Sequence, residues 1–215
     1  MPVLFTQKSP FTGVWKITEP WQEMLESLRG NDFYSRNIEK IQSDKRKQEW
    51  LAVRLLLKNM SGDEVYIDYK NNGAPVLQGG TSSISISHTM GFAAIILSEN
   101  QNPGIDIEYH SGRALKLREK YLGEKELEMF DSLRDNLQAD NDKLSKLATI
   151  CWCAKETAYK ALQQTEVDFI DHLHIQPFIF SGNGILALKE TKTTSRQTFY
   201  INYQITEDYV LTWKE

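Results

Sequence analysis

Asp106 and Glu108 stand two residues apart in the stretch NPGIDIEYH, with Ile105 and Ile107 flanking Asp106. In a β-strand, residues i and i+2 point to one face. The two carboxylates therefore project together, and the isoleucines take the opposite side. Like charges held side by side are unfavourable unless a cation joins them. A third carboxylate, Glu156, lies in CWCAKETAYKAL, Cys151 to Leu162. Cys151, Ala154, Ala158, Ala161 and Leu162 make one apolar helical face. Glu156 falls about 200° from Ala154 around the axis, away from that face. Lys160 follows it by one turn, the spacing of an ordinary surface Glu–Lys pair. Singly, these features are a solvated strand edge and a surface helix pair. Jointly, the three carboxylates converge if the helix packs beside the strand. Oxygen-only donors of this kind suit Mg²⁺, with Mn²⁺ as the other candidate. No Cys/His spacing points to zinc.

A basic set lies upstream. Arg46 and Arg54 are eight residues apart in DKRKQEWLAVRLLLKNMSG, hence about 80° apart on a helix. Arg54 interrupts an apolar run. An Arg with a buried stem is common on any helix, yet planar bidentate donors are also what phosphate recognition uses. ISISHT then places Ser87 and His88 at the end of an alternating strand. His172 and His174, in DHLH, would share one strand face, but two ligands without a third make a poor metal site.

The elements that must position these residues follow from periodicity. VLFTQ and GVWKIT read as a strand pair, and EPWQEMLESLRG as a helix with Pro20 in its first turn and Gly30 beyond its end. DKRKQEWLAVRLLLKNMSG is a stronger helix. EVYIDY, SISISH and FAAIIL read as strands, with the turn-rich NNGAPVLQGG between the first two. After Pro103 come the strand GIDIEY, helices across roughly 113–165, and the strands LHIQPFIF, GILALKE, TFYINYQI and YVLTWKE. Both halves run strand, helices, strands. The class is α+β, with halves at 1–102 and 103–215.

Composition sets the outer limits. The chain has 215 residues, 40% hydrophobic and 25% charged, which suits a packed core and not disorder. A net charge of −4 argues against broad nucleic-acid binding. Cys151 and Cys153, two apart on a helix, do not face each other, so no disulfide joins them and a reducing, cytoplasmic setting is expected. No signal peptide and no apolar run of membrane-spanning length is visible.

GIDIE followed by WCAKETAYK resembles the paired signature of 4′-phosphopantetheinyl transferases, G-x-D-x-E and W-x-x-K-E-x-x-x-K. Trp152, Lys155, Glu156 and Lys160 all match the second motif. SISISHT is similar to the family's S-H segment, and EWLAVRLLLK to its N-terminal A-x-R-x-x-L helix. The four segments, in the right order, cover about residues 44–160. The length resembles the longer, single-chain type, as in the surfactin-synthetase-activating enzymes. That type implies two similar halves in a pseudo-dimer with the active site in the cleft between them. One departure stands out: where the family has G-K-P, this chain reads Gly73-Ala74-Pro75, with Lys70 four residues before Ala74 as a replacement.

The resemblance implies transfer of the 4′-phosphopantetheine of coenzyme A to a serine of an acyl or peptidyl carrier protein, with adenosine 3′,5′-bisphosphate as by-product. It implies a metal held by Asp106, Glu108 and Glu156, with Glu156 and Lys160 as catalytic residues. Coenzyme A would be bound by Lys155 and Lys160 at the pyrophosphate, by Arg46, Arg54 and His88 at the 3′-phosphate, and by Gly73, Pro75 and Ser87 along the adenine. The carrier would dock on the segment from about 113 to 146. The protein would be a cytoplasmic monomer, with no nucleic-acid or membrane partner. Two rival readings are a metal-dependent nuclease or phosphohydrolase, whose usual D…(D/E)-x-K pattern is not met, and a non-catalytic carrier-binding scaffold, which Ala74 leaves open.

Overall fold

The computed structural model describes residues 3–8, 11–28, 32–99 and 102–215. The chain divides into two compact units, Met1–Gln101 and Asn102–Glu215. Both combine helices with antiparallel sheets, so the protein is α+β.

The first unit runs β1 (Val3–Lys8), β2 (Phe11–Lys16), α1 (Trp21–Glu26), α2 (Asp32–Ile38), α3 (Asp44–Ser61), β3 (Ile67–Tyr69), β4 (Pro75–Leu77), β5 (Ser83–Thr89) and β6 (Phe92–Ser98). Its sheet has the order β1-β2-β6-β5, and β3–β4 is a separate hairpin. Helix α3 begins where the Ser43 side chain accepts a bond from Arg46 N, the usual way to satisfy a free helical N–H. Leu51, Ala52, Leu56 and Leu57 of α3 are buried with Ile84, Ala93 and Ile95 of the sheet. The helix expected at EPWQEMLESLRG is shorter, ending at Glu26, and its expected stop at Gly30 lies outside the described residues. Helix α2 was not visible in the periodicity. The strand expected at EVYIDY is limited to Ile67–Tyr69.

The second unit runs β7 (Gly104–Tyr109), α4 (Arg113–Lys116), a 3-10 turn (Arg118–Lys120), α5 (Glu124–Asn136), α6 (Asn141–Leu162), α7 (Phe169–His172), β8 (Leu173–Ile175), β9 (Asn183–Glu190), β10 (Thr198–Ile205) and β11 (Tyr209–Lys214). The sheet order is β7-β11-β10-β9-β8. Helix α6 lies on it: Ile150, Ala154, Ala158 and Leu162 pack with Leu188, Ile201 and Val210. Each unit thus repeats one order, in which the strand before the helices pairs with the last strand: β2 with β6, and β7 with β11. Each of those leading strands also carries a glycine where the long helix approaches most closely. A Cβ at Gly13 would meet Met60 and Leu56 of α3, and a Cβ at Gly104 would meet Thr157 and Ala161 of α6.

The strand expected over LHIQPFIF stops at Ile175. It is the edge strand, and Pro177 has no N–H to extend the ladder. His172 and His174 do not share a strand face. His172 ends helix α7, where its Nδ1 accepts a bond from Asp168 N, and only His174 lies in β8. Both cysteines are free and buried. Among the described residues, no helix is long and apolar enough to cross a membrane.

Candidate active site

The site is set by the seam between β7 and α6. Strand alternation puts Gly104, Asp106 and Glu108 on one side. On β11, Thr212 stands opposite Asp106, and its hydroxyl lies 2.6 Å from that of Thr157 on α6. The carboxylate face of β7 therefore looks at the helix. The absence of a side chain at Gly104 lets the helix come close: an added Cβ would lie 2.2 Å from the Thr157 carbonyl oxygen.

Along α6, Trp152, Glu156 and Lys160 are one turn apart and share a stripe. Trp152 Nε1 donates to Glu108 Oε1 at 3.3 Å. Lys160 Nζ donates to Asp106 Oδ1 at 2.8 Å and to the Ile105 carbonyl at 2.9 Å. The helix thus runs opposite to the strand, and Glu156 falls between these two anchor points. Asp106 is 4% exposed, while Glu108 and Glu156 are half-buried. Burial, followed by the negative charge of Asp106, pushes the Glu156 carboxyl up to about 7; Lys160 opposes this and Glu108 adds to it. The three carboxylates therefore feel one another, and the cation between them here is Lys160.

The donor chemistry of this group fits a hard dication: oxygen ligands alone, partly withdrawn from water. Among the described residues, no group of three or more His, Cys, Asp or Glu side chains stands close enough to hold an ion as placed. Asp106 Oδ1 is engaged by Lys160 instead.

Lys155 is not brought to this group. It is one residue off the stripe, about 100° around the helix, and is fully buried. Its ammonium donates to Glu126 Oε2 at 2.6 Å and to the carbonyls of Tyr121 and Phe169 at 2.7 and 2.8 Å. Three acceptors use its three donors, so none remains for a pyrophosphate, contrary to the role the resemblance implied.

A solvent-open cavity of about 110 Å³ adjoins Glu108. Leu117, Ala114, Tyr121 and Trp152 supply apolar walls, and Arg113, Ser111 and Thr149 supply polar ones.

In the first unit the nucleotide candidates fall into separate groups. Arg46 Nη1 lies 3.3 Å from Glu49 Oε2, and His88 Nδ1 lies 3.7 Å from the same oxygen. Buried Glu49 thus gathers Arg46 and His88, both well exposed. Arg54 is 5% exposed, with its guanidinium 3.8 Å above the Trp50 ring and Nη1 donating to the Trp50 carbonyl at 3.2 Å. Burial disfavours its charge, and a hydrogen bond with Tyr69 supports it. Tyr69 pairs with Pro75 across the β3–β4 hairpin, whose turn carries Gly73 at φ +82°. In the same hairpin Lys70 N donates to the Ala74 carbonyl at 2.9 Å, so the two residues stand across from each other. Ser87 is buried and, by strand alternation, faces away from His88. Glu49, Trp50, Tyr69 and Glu126 escaped the sequence reading. Glu49 and Trp50 had a usable signal, lying three residues after Arg46 and four before Arg54.

Fold and site define an α+β protein of two units, one of which sets three carboxylates and a lysine between a strand and a helix. Residues 102–214, just over half the chain, match the family described as the 4′-phosphopantetheinyl transferase superfamily, and the chain belongs to it. No curated protein matches the chain. The family's activity is transfer of phosphopantetheine from coenzyme A to a carrier protein, typically with a divalent metal.

Proposed function

We propose that this protein converts apo carrier proteins to their holo form, attaching 4′-phosphopantetheine to a serine and releasing adenosine 3′,5′-bisphosphate. The observation that carries this reading is the seating of Glu156 opposite Asp106 and Glu108, with Lys160 on Asp106. Asp106, Glu108 and Glu156 would hold Mg²⁺ or Mn²⁺, which when bound supplies Lewis-acid charge neutralisation at the pyrophosphate. The serine oxygen attacks the phosphorus that bears pantetheine. The bond from that phosphorus to the bridging oxygen breaks, and adenosine 3′,5′-bisphosphate leaves through its 5′-phosphate with the bond's electrons. Glu156 takes the serine proton, directly or through one water. Lys160 has two of its three donors in use and turns the third to the leaving phosphate, neutralising it or giving it a proton.

Arg46 and His88, held by Glu49, bind the 3′-phosphate of coenzyme A. Arg54, Gly73, Pro75 and Ser87 shape the nucleotide site, and Lys70, across the hairpin from Ala74, supplies the positive charge that Ala74 lacks. The carrier docks on residues 113–146. The like order of elements in the two units supports the longer, single-chain type, acting as a cytoplasmic monomer. Arg46→Ala and His88→Ala are expected to raise the KM for coenzyme A about tenfold each, the effect of one lost charge-assisted hydrogen bond. The KM for dephospho-coenzyme A should stay within about twofold. Equal increases for both substrates would remove the 3′-phosphate role. The function itself is tested by following coenzyme A consumption with a panel of apo carriers and Mg²⁺. Adenosine 3′,5′-bisphosphate should appear one for one, and only when a carrier is present. Binding of carriers without any release would favour a scaffold.

A further inference from the structure

An ion pair lies behind the wall of the cavity at Glu108, and the chemistry above makes no use of it. Lys155 is fully buried and Glu126 is 3% exposed. Besides the Lys155 ammonium, Glu126 Oε2 accepts a bond from Gly123 N at 2.9 Å, and Oε1 accepts one from Ile175 N at 2.8 Å. With the Tyr121 and Phe169 carbonyls on Lys155, the pair ties four backbone groups to helix α6. They come from the segment between α4 and α5, the start of α7, and β8. A buried ion pair is not in itself a strong stabiliser, because desolvation of both charges offsets their attraction. What it adds is specificity: two carbonyls and two N–H groups, wholly or partly withdrawn from water, are satisfied together in this one arrangement.

The backbone held in this way carries the cavity wall. Tyr121 hands its carbonyl to Lys155, and its hydroxyl donates to the Ala148 carbonyl at 2.9 Å. Its ring meets that of Trp152 edge-on at 5.1 Å. Trp152 also packs on Phe169, the other carbonyl bound by Lys155, at 5.6 Å, and its indole N–H holds Glu108. Next along α6 from Lys155 is Glu156. The chain of contacts therefore starts at the buried pair, passes through two aromatic rings and ends at a site carboxylate.

We propose that Glu126 and Lys155 are positioning residues for the transfer reaction, holding Tyr121 and Trp152, and through Trp152 the Glu108 carboxylate, in register with Glu156. This inference rests on the transferase reading. It gives Lys155 a role that needs no contact with substrate, in place of a pyrophosphate ligand.

The test uses Lys155→Met and Glu126→Gln in the full chain, at a temperature where circular dichroism shows both fully folded. The expected result is a kcat lower by roughly 10- to 100-fold, the effect of misplacing a reacting group by a fraction of an ångström to an ångström. The KM for coenzyme A should stay within about twofold. A large rise in that KM with kcat preserved would mean that Lys155 binds substrate and would overturn the proposal. So would a folded Glu126→Gln protein with unchanged kcat and only a lower melting temperature. Glu126→Gln keeps the side chain's shape, and carries the test if Lys155→Met does not fold. A second readout is independent of activity. Amide hydrogen exchange should speed up by about tenfold or more over residues 117–127 and 169–175 in the variants, and stay unchanged over α3. Unchanged exchange in those segments overturns the proposal. Faster exchange in variants of a protein that transfers nothing supports the clamp and contradicts the transferase reading instead.

Discussion

Gly104→Ala is expected to inactivate the protein and destabilise it by about 3 kcal/mol or more, at the upper end of what overpacking costs. The new methyl would lie 2.2 Å from the Thr157 carbonyl oxygen, 3.1 Å from its carbonyl carbon and 3.2 Å from Ala161 Cβ. Two of these obstacles are backbone and cannot swing aside, so α6 must move away from β7. Thr157 adjoins Glu156, so the shift passes directly to the site, where about an ångström of misplacement reduces turnover by roughly a hundredfold. Gly13→Ala is the internal control. Its nearest obstacles, at 2.7 and 2.9 Å, are the side-chain ends of Met60 and Leu56. Flexible ends relax at lower cost. Thermal melts of both variants check the pair. A Gly104→Ala protein that melts with the wild type and retains its turnover would contradict the close seating of α6.

Glu156→Gln should separate activity from stability. Transfer is expected to fall by at least about a thousandfold, since the change removes both a proton acceptor and a ligand charge. Without metal, the fold should gain. The folded-state pKa of Glu156 is raised from 4.5 to about 7, chiefly by burial and then by Asp106. A carboxyl raised in this way favours the folded state while it is protonated. That advantage is complete below about pH 4.5, fades as pH rises, and is gone above about 7. Relative to a neutral side chain, charged Glu156 then costs on the order of 2–3 kcal/mol at pH 8. Wild type and Glu156→Gln should therefore melt alike near pH 4.5 in chelator, while the variant melts higher at pH 8. Equal melting at pH 8 would show that neither burial nor the neighbouring carboxylates penalise the charge on Glu156. Normal transfer by Glu156→Gln would remove the catalytic assignment.

The two-residue spacing in GIDIE was enough to place Asp106 and Glu108 on one face, and the four-residue spacing of Trp152, Glu156 and Lys160 was enough to make a stripe. Local periodicity carries that much. It does not say which cation stands between the carboxylates, and the ammonium of Lys160 takes that place from a residue 54 positions away. Lys155 shows the limit more sharply. It adjoins Glu156 in the sequence, yet a rotation of about 100° sends it to the interior. Its partner Glu126 lies 29 positions earlier on another helix, and no local pattern connects the two. Arg54 reads as a free cation in an apolar run until Trp50 and Tyr69 are seen against it. Strand existence was legible from strict alternation at SISISH and from the short, continuous apolar run at FAAIIL, which becomes a strand buried along its whole length. The length of β8 was not, because it depends on where an edge strand loses its neighbour. His172 was misplaced for a related reason, since the Asp168 cap that starts α7 overrides the strand-like alternation of DHLH.

The most direct measurement of the central claim is the intact mass of purified apo acyl and peptidyl carriers after incubation with this protein, coenzyme A and Mg²⁺. At least one carrier should gain the mass of one phosphopantetheine on its serine, and should gain nothing when the protein is Asp106→Ala or when chelator replaces the metal. No gain on any carrier, or the same gain with Asp106→Ala, would contradict the assignment of this strand–helix seam as the transferase site.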